Sequence, residues 1–97
     1  MLLNIVIKSF RDKGLRELFT TGKSAKVAVS LQDRCLRRLD ALNSAKRLEE
    51  LNVPGFSLHP LKGEWSGRYS IHVNGPWCIT FTWQERDVLA VDLEQYH

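Results

Sequence analysis

The spacing of hydrophobic and polar residues changes period partway along the chain, and that change divides it into two kinds of element. Ile5, Val6 and Ile7 make a short first strand. From Phe10 to Phe19, the residues Phe10, Leu15, Leu18 and Phe19 fall on one helical face, with Gly14 weakening the run and Thr20-Thr21-Gly22 ending it. The clearest helix begins near Ser30, where Ser30 and Asp33 have capping-box spacing. Leu31, Cys35, Leu39 and Leu42 form its apolar stripe, widened by Leu36, and Arg34, Arg37 and Arg38 are expected on its outer flanks. A further short turn carries Leu48 and Leu51, and Asn52-Val53-Pro54-Gly55 stops it.

After Gly55 the period becomes two. Phe56 and Leu58 alternate with Ser57 and His59. Tyr69, Ile71 and Val73 alternate with Arg68, Ser70 and His72. Trp77, Ile79, Phe81 and Trp83 alternate with Cys78, Thr80 and Thr82, and a last strand covers Val88 to Leu93. Pairing Val73 with Trp77 keeps the two apolar sets on one face, whereas a one-residue slip would invert a strand. The expected fold is α+β: an N-terminal strand, two or three helices, then a four-stranded antiparallel run forming one sheet with the helices packed on one face. That register sets Arg68, Ser70, His72, Cys78, Thr80 and Thr82 on the opposite, polar face.

A length of 97 residues allows one domain, residues 1–97, with a modest core. A hydrophobic share of 43% and a charged share of 26% exclude a disordered chain, a collagen and a coiled-coil rod. No apolar run approaches the roughly 20 residues of a membrane span, and the first residues lack the basic leader and cleavage site of a signal peptide. Cys35 and Cys78 are too few for a disulfide framework and lack metal-ligand spacing, so neither a metal nor a cofactor is expected, and the expected compartment is the reducing cytoplasm.

The net charge of +3 conceals a split. Residues 1–47 hold eleven Lys or Arg against four acids, giving +7, and residues 48–97 hold three against seven, giving −4. Such asymmetry points to a polyanion meeting the first half through Lys23, Lys26, Arg34, Arg37 and Arg38, although solvated helix faces are also rich in these residues.

The chemistry available near the polar face suits RNA cleavage. The substrate's own 2′-OH can attack the adjacent phosphate, so the enzyme has only to move two protons and stabilise phosphate charge. Histidine and tyrosine can do the first, and lysine and arginine the second. His59, Lys62, Arg68, Tyr96 and His97 are of the required types, with His72, Cys78 and Thr80 lining the same face. By residue type alone the signal is weak, since a lone histidine is more often structural.

Five short motifs in order sharpen it: Lys8-Ser9-Phe10, Leu58-His59-Pro60-Leu61-Lys62-Gly63, Ser70-Ile71-x-Val73, Trp77-x-Ile79-Thr80-Phe81 and the terminal Tyr96-His97. Together they resemble the HigB toxins of bacterial type II toxin–antitoxin systems, within the RelE/ParE superfamily, from about Ile7 to His97. Met1–Val6 falls outside the resemblance and reads as an N-terminal extension or the product of an upstream start codon. The resemblance implies a RelE-like fold and a metal-independent, ribosome-dependent endoribonuclease that cuts mRNA in the decoding site. It also implies inhibition by a helix-turn-helix antitoxin, HigA, with operator DNA met only through that antitoxin, and no membrane partner.

The resemblance assigns Lys62 to the phosphate, His59 and His97 to proton transfer, and Tyr96 to positioning RNA or sharing in that transfer. The basic first half would meet ribosomal RNA. One position departs. Members usually read Trp-Arg-Ile where this chain reads Trp77-Cys78-Ile79, and a thiol cannot replace a guanidinium. Either the chain is attenuated, or Arg68 supplies the charge from about 13 Å along the strand; reduced activity is the favoured expectation. Two other functions share the fold: a catalytically weak antitoxin-binding protein acting in complex assembly and operator repression, and a ParE-like gyrase poison. The His59, Lys62, Tyr96 and His97 set argues against the last.

Overall fold

A computed structural model describes residues 7–65 and 67–95. Helix α1 (Lys13–Thr21) starts three residues later than the apolar spacing predicts. Two local causes fix that start. Asp12 is the N-cap, its carboxylate accepting the Leu15 N–H at 2.8 Å, and Phe10 is already committed to a parallel bridge with Val91. Replacing Asp12 by Ala should therefore lower stability by about 1 kcal/mol, seen as a lower urea midpoint with an unchanged slope. Gly14 is no weakness here: a Cβ at that position would lie 3.0 Å from the Lys26 Cβ and the Val27 Cγ2. The missing side chain lets the first turn of α1 press against the connection to the next helix.

Helix α2 (Val29–Ser44) buries Leu31, Cys35, Leu39 and Leu42, the predicted stripe. Its predicted capping box does not form. The helix begins at Val29 with Ala28 at the cap and no side-chain capping bond. Gln32 instead reaches back, its Nε2 donating to the Ser24 and Val27 carbonyls at 2.7 and 2.9 Å. A 3₁₀ turn at Leu48–Leu51 then buries Leu51.

Four strands follow: β1 (His59–Pro60), β2 (Arg68–Asn74), β3 (Trp77–Gln84) and β4 (Asp87–Gln95). They form one antiparallel sheet in sequence order. Of the predicted first strand only Ile7 lies within the described residues. It bridges Val88 in parallel, as Phe10 bridges Val91, so residues 7–10 run beside β4. The alternation at Phe56–Leu58 does not become a strand, because Ser57 takes a left-handed φ of 49° that breaks the extended run. The β2–β3 register is the one predicted, with His72 opposite Cys78 and Ser70 opposite Thr80. Only the turn differs: Trp77 lies opposite Asn74 rather than Val73, because a bulge falls between His72 and Asn74.

One sheet face carries Ile71, Val73, Ile79, Phe81, Val88 and Val91 against Leu15, Leu18 and the α2 stripe, all buried. This is the core, and it leaves the other sheet face for polar side chains.

Candidate functional site

Pairing orders the polar face into cross-strand rows. The central row runs His59, Ser70, Thr80, Asp92 across all four strands. One row on, toward the β2–β3 turn, stand His72, Cys78 and Glu94. On the other side Arg68 faces Thr82. The expected residues do share one face. They are not laid open to solvent, however: Arg68, Ser70, Cys78 and Thr80 are only 5%, 1%, 4% and 3% exposed.

His59 sits on the short edge strand, between the Ser57 carbonyl and the Ser70 hydroxyl. Its Nδ1 lies 3.0 Å from the Ser57 carbonyl. A carbonyl only accepts, so a proton on Nδ1 satisfies this contact. The ring Nε2 lies 3.2 Å from the Ser70 hydroxyl. The left-handed turn at Ser57 is what aims the carbonyl at the ring. Lys62 follows β1 on an exposed loop, tied to β2 by the Leu61 N–H donating to the Arg68 carbonyl at 2.8 Å. His72 turns to the hairpin, its Nε2 3.1 Å from the Gly75 carbonyl.

Arg68 is engaged inside the sheet. Its Nη1 donates to the Thr82 hydroxyl at 3.1 Å, and its Nη2 donates to the Thr80 hydroxyl and the Ala90 carbonyl, each at 2.9 Å. Its Nε has no partner among the described residues. Burial pulls the guanidinium below its ordinary pKa, with nearby Arg11 acting the same way and Glu94 and Asp92 opposing. Thr80 in turn donates to the Glu94 carboxylate. Burial raises the Asp92 carboxyl. Burial, then the charge of Glu94, raises the Cys78 thiol, which is therefore neutral near pH 7. Compensation of Cys78 by Arg68 thus has poor geometry: the guanidinium is spent on Thr80, Thr82 and Ala90, away from the Cys78 row.

The basic residues divide. Lys23, Lys26, Arg34 and Arg37 are exposed; Arg37 pairs with Asp33 at 3.1 Å and Lys26 with Glu17 at 3.8 Å. Arg38 differs from the outward-facing cation expected. It is 7% exposed, its Nε donates to the His72 carbonyl at 2.6 Å, and its guanidinium lies 4.6 Å from the centre of the Phe56 ring. The spacing itself carries that signal, because Arg38 lies three residues after Cys35 and four before Leu42. Burial lowers its pKa, with Arg34 adding to the effect. Its role is to bind α2 to the segment leading into β1.

Tyr96 and His97 lie outside the described residues. The strand leading to them ends at Gln95, opposite Trp77. Glu94 and Asp92 are the site residues that sequence reasoning missed. Their clue is an irregular apolar spacing, Val88, Val91, Leu93, which marks a bulge and restores alternation only after Ala90.

Comparison with known proteins adds two findings. The family model for RelE-like toxins of the type II toxin–antitoxin system HigB matches residues 8–97. A curated protein named Endoribonuclease HigB, from Proteus vulgaris, is 41% identical over 92 residues, an alignment covering 95% of this chain and 100% of that protein.

Proposed function

Because the chain belongs to the RelE-like HigB toxins of type II toxin–antitoxin systems, we propose that it is an endoribonuclease that cuts mRNA on the ribosome, with its rate held down by Cys78. The observation that carries this reading is the polar sheet face. It brings His59 beside the Ser70 hydroxyl and next to an exposed loop carrying Lys62.

The chemistry follows from the substrate. The 2′-OH attacks the neighbouring phosphorus as its proton leaves to an acceptor; the P–O5′ bond breaks, and the 5′-oxygen takes up a proton. The products are a 2′,3′-cyclic phosphate and a 5′-hydroxyl. His59 is the proton acceptor proposed for the 2′-OH. Lys62 supplies positive charge to the phosphate oxygens. Tyr96 and His97 are the remaining proton-transfer groups, one of which serves the leaving oxygen. Metal is not required in this scheme because the nucleophile is internal to the substrate. Arg68 enters by holding the sheet rather than by touching RNA, since its donors are used within it.

As a type II toxin the protein is expected to pair with an antitoxin. The partner proposed is a HigA-like helix-turn-helix protein, through which alone the toxin would meet operator DNA. Lys23, Lys26, Arg34 and Arg37 form the surface proposed for ribosomal RNA, because charge dominates such contacts and makes them salt-dependent. The proposed place of action is the cytoplasm, where ribosomes are; among the described residues no helix is long and apolar enough to cross a membrane.

The buried thiol at position 78 also favours a second reading, an antitoxin-binding protein that represses its operator with little cleavage. One assay separates the two. Purified protein is added to programmed ribosomes and to free mRNA, with and without EDTA, and the 5′ ends are mapped. Cleavage on ribosomes in the presence of EDTA is expected. If neither the parent nor Cys78→Arg cuts while both bind antitoxin, the endoribonuclease reading is wrong.

A further inference from the structure

A buried guanidinium on a face the core does not need calls for an explanation. Removing such a charge from water costs several kcal/mol unless its donors are satisfied, and the apolar core closes on the other side of the sheet without it. The partners of Arg68 indicate what it does. They lie on the neighbouring strand β3 and, one strand further, on β4, where the contact falls at an irregularity. The β3–β4 register shifts between Thr80 and Thr82, and β4 makes the shift through Ala90, which takes a left-handed φ of 52°. A Cβ is crowded by the backbone in that conformation, so the bulge must be held by other contacts.

Backbone bonds with Ser9, Arg11 and Asp12 hold Val91 beside it, and two contacts among the described residues hold Ala90 itself. The Ala90 N–H donates to the Ser9 hydroxyl at 2.8 Å, and the Ala90 carbonyl accepts from Arg68 Nη2 at 2.9 Å. The same Nη2 donates to Thr80. With its oxygen already accepting, the Thr80 hydroxyl directs its own proton to Glu94, beyond the bulge. Arg68 thus grips β4 within the shift and, through Thr80, beyond it.

We propose that Arg68, Thr80 and Glu94 form a positioning relay that locks β4 in register across its bulge as far as Gln95, the residue from which the chain passes to its terminal pair. A strand that slips by one residue turns every side chain to the other face. Beyond the bulge only Asp92–Gln95 separates the shift from Tyr96 and His97. The importance of this placement rests on the role given to that terminal pair under the proposed function; the locking of β4 does not. Arg68 suits the task because its planar fork joins Thr80, Thr82 and Ala90 in one geometry, which a lysine ammonium cannot reproduce.

The test uses Thr80→Val, which keeps the shape and removes the hydroxyl, and Thr80→Ser, which keeps the hydroxyl. Amide hydrogen exchange is followed along β2 and β4, with the urea midpoint as a measure of global stability. Cleavage on programmed ribosomes is measured for each variant, alone and combined with Cys78→Arg. In Thr80→Val, exchange at Asp92–Gln95 should quicken by about tenfold beyond any change at Ile71 and Val73. Its kcat should fall by roughly 10- to 100-fold with KM nearly unchanged, the signature of misplaced groups rather than lost binding. Thr80→Ser should restore both, and Arg68→Lys should resemble Thr80→Val. The relay is overturned if exchange in Thr80→Val rises uniformly through β2 and β4, or if the end of β4 is unchanged. Absence of cleavage in every variant, with the local exchange response intact, would instead count against the endoribonuclease reading and leave the relay standing.

Discussion

Substituting Cys78 by Arg should raise the rate of mRNA cleavage on the ribosome by about 10²–10³-fold, the usual effect of one charge-stabilising donor aimed at a transition state. The expectation rests on where position 78 lies. It stands in the middle of the row His72, Cys78, Glu94, next to the row that holds His59 and two strands away from it. The thiol there is neutral, pushed up by burial and by Glu94, and contributes no charge to a phosphate dianion-like transition state. Arg68 cannot move over to serve, because its donors hold Thr80, Thr82 and Ala90.

A guanidinium at position 78 would have Glu94 directly across the ladder to orient it, and its aliphatic stem could cover the face while the head reaches solvent. Overpacking could cost about 1–3 kcal/mol of stability, so cleavage is compared at equal folded fraction. Cys78→Lys should recover less, because an ammonium lacks the two-pronged fit to phosphate oxygens. The same substitution should make expression more toxic to a host without antitoxin. If the parent cuts as fast as Cys78→Arg, attenuation by Cys78 is wrong.

Ending the chain after Gln95 should reduce cleavage by about 10²–10⁴-fold, the contribution of a positioned proton-transfer group, and leave the fold intact. The fold should survive because the core lies between Ile7 and Val91 and the β3–β4 ladder is complete at Gln95. The measurement pairs cleavage on programmed ribosomes with a urea titration. An unchanged midpoint with lost activity is the expected result. Full activity in the shortened chain would remove Tyr96 and His97 from the mechanism, whereas a collapsed midpoint would assign them to stability. His97→Ala and Tyr96→Phe, made singly, then divide the loss between the two side chains.

The chain's periodicities made most of the architecture legible. The α2 stripe, the β2–β3 register and the separation of apolar from polar sheet faces all follow from one residue pattern, because burial on a single face enforces it. The errors share a different cause. Ser30 has the residue type for a cap, but Ala28 takes the position, with Gln32 bonding back to Ser24 and Val27. Arg38 reads as a surface cation, yet the Phe56 ring and the His72 carbonyl, 18 and 34 residues away in sequence, draw it inward. Asp92 and Glu94 were hidden because the bulge at Ala90 breaks the period-two pattern just where they begin.

Residue order by itself determined the α+β class, the core face, the family, and the presence of His59 and Lys62 beside a sheet with a cysteine in place of an arginine. These depend on local spacing and side-chain chemistry, which need no knowledge of distant neighbours. Tertiary structure alone decided that the polar face is largely closed, that His59 sits against the Ser57 carbonyl and the Ser70 hydroxyl, and that Arg68 is bound into β3 and β4. Those properties arise where groups far apart in sequence desolvate one another or exchange hydrogen bonds, and a linear pattern has no term for that distance.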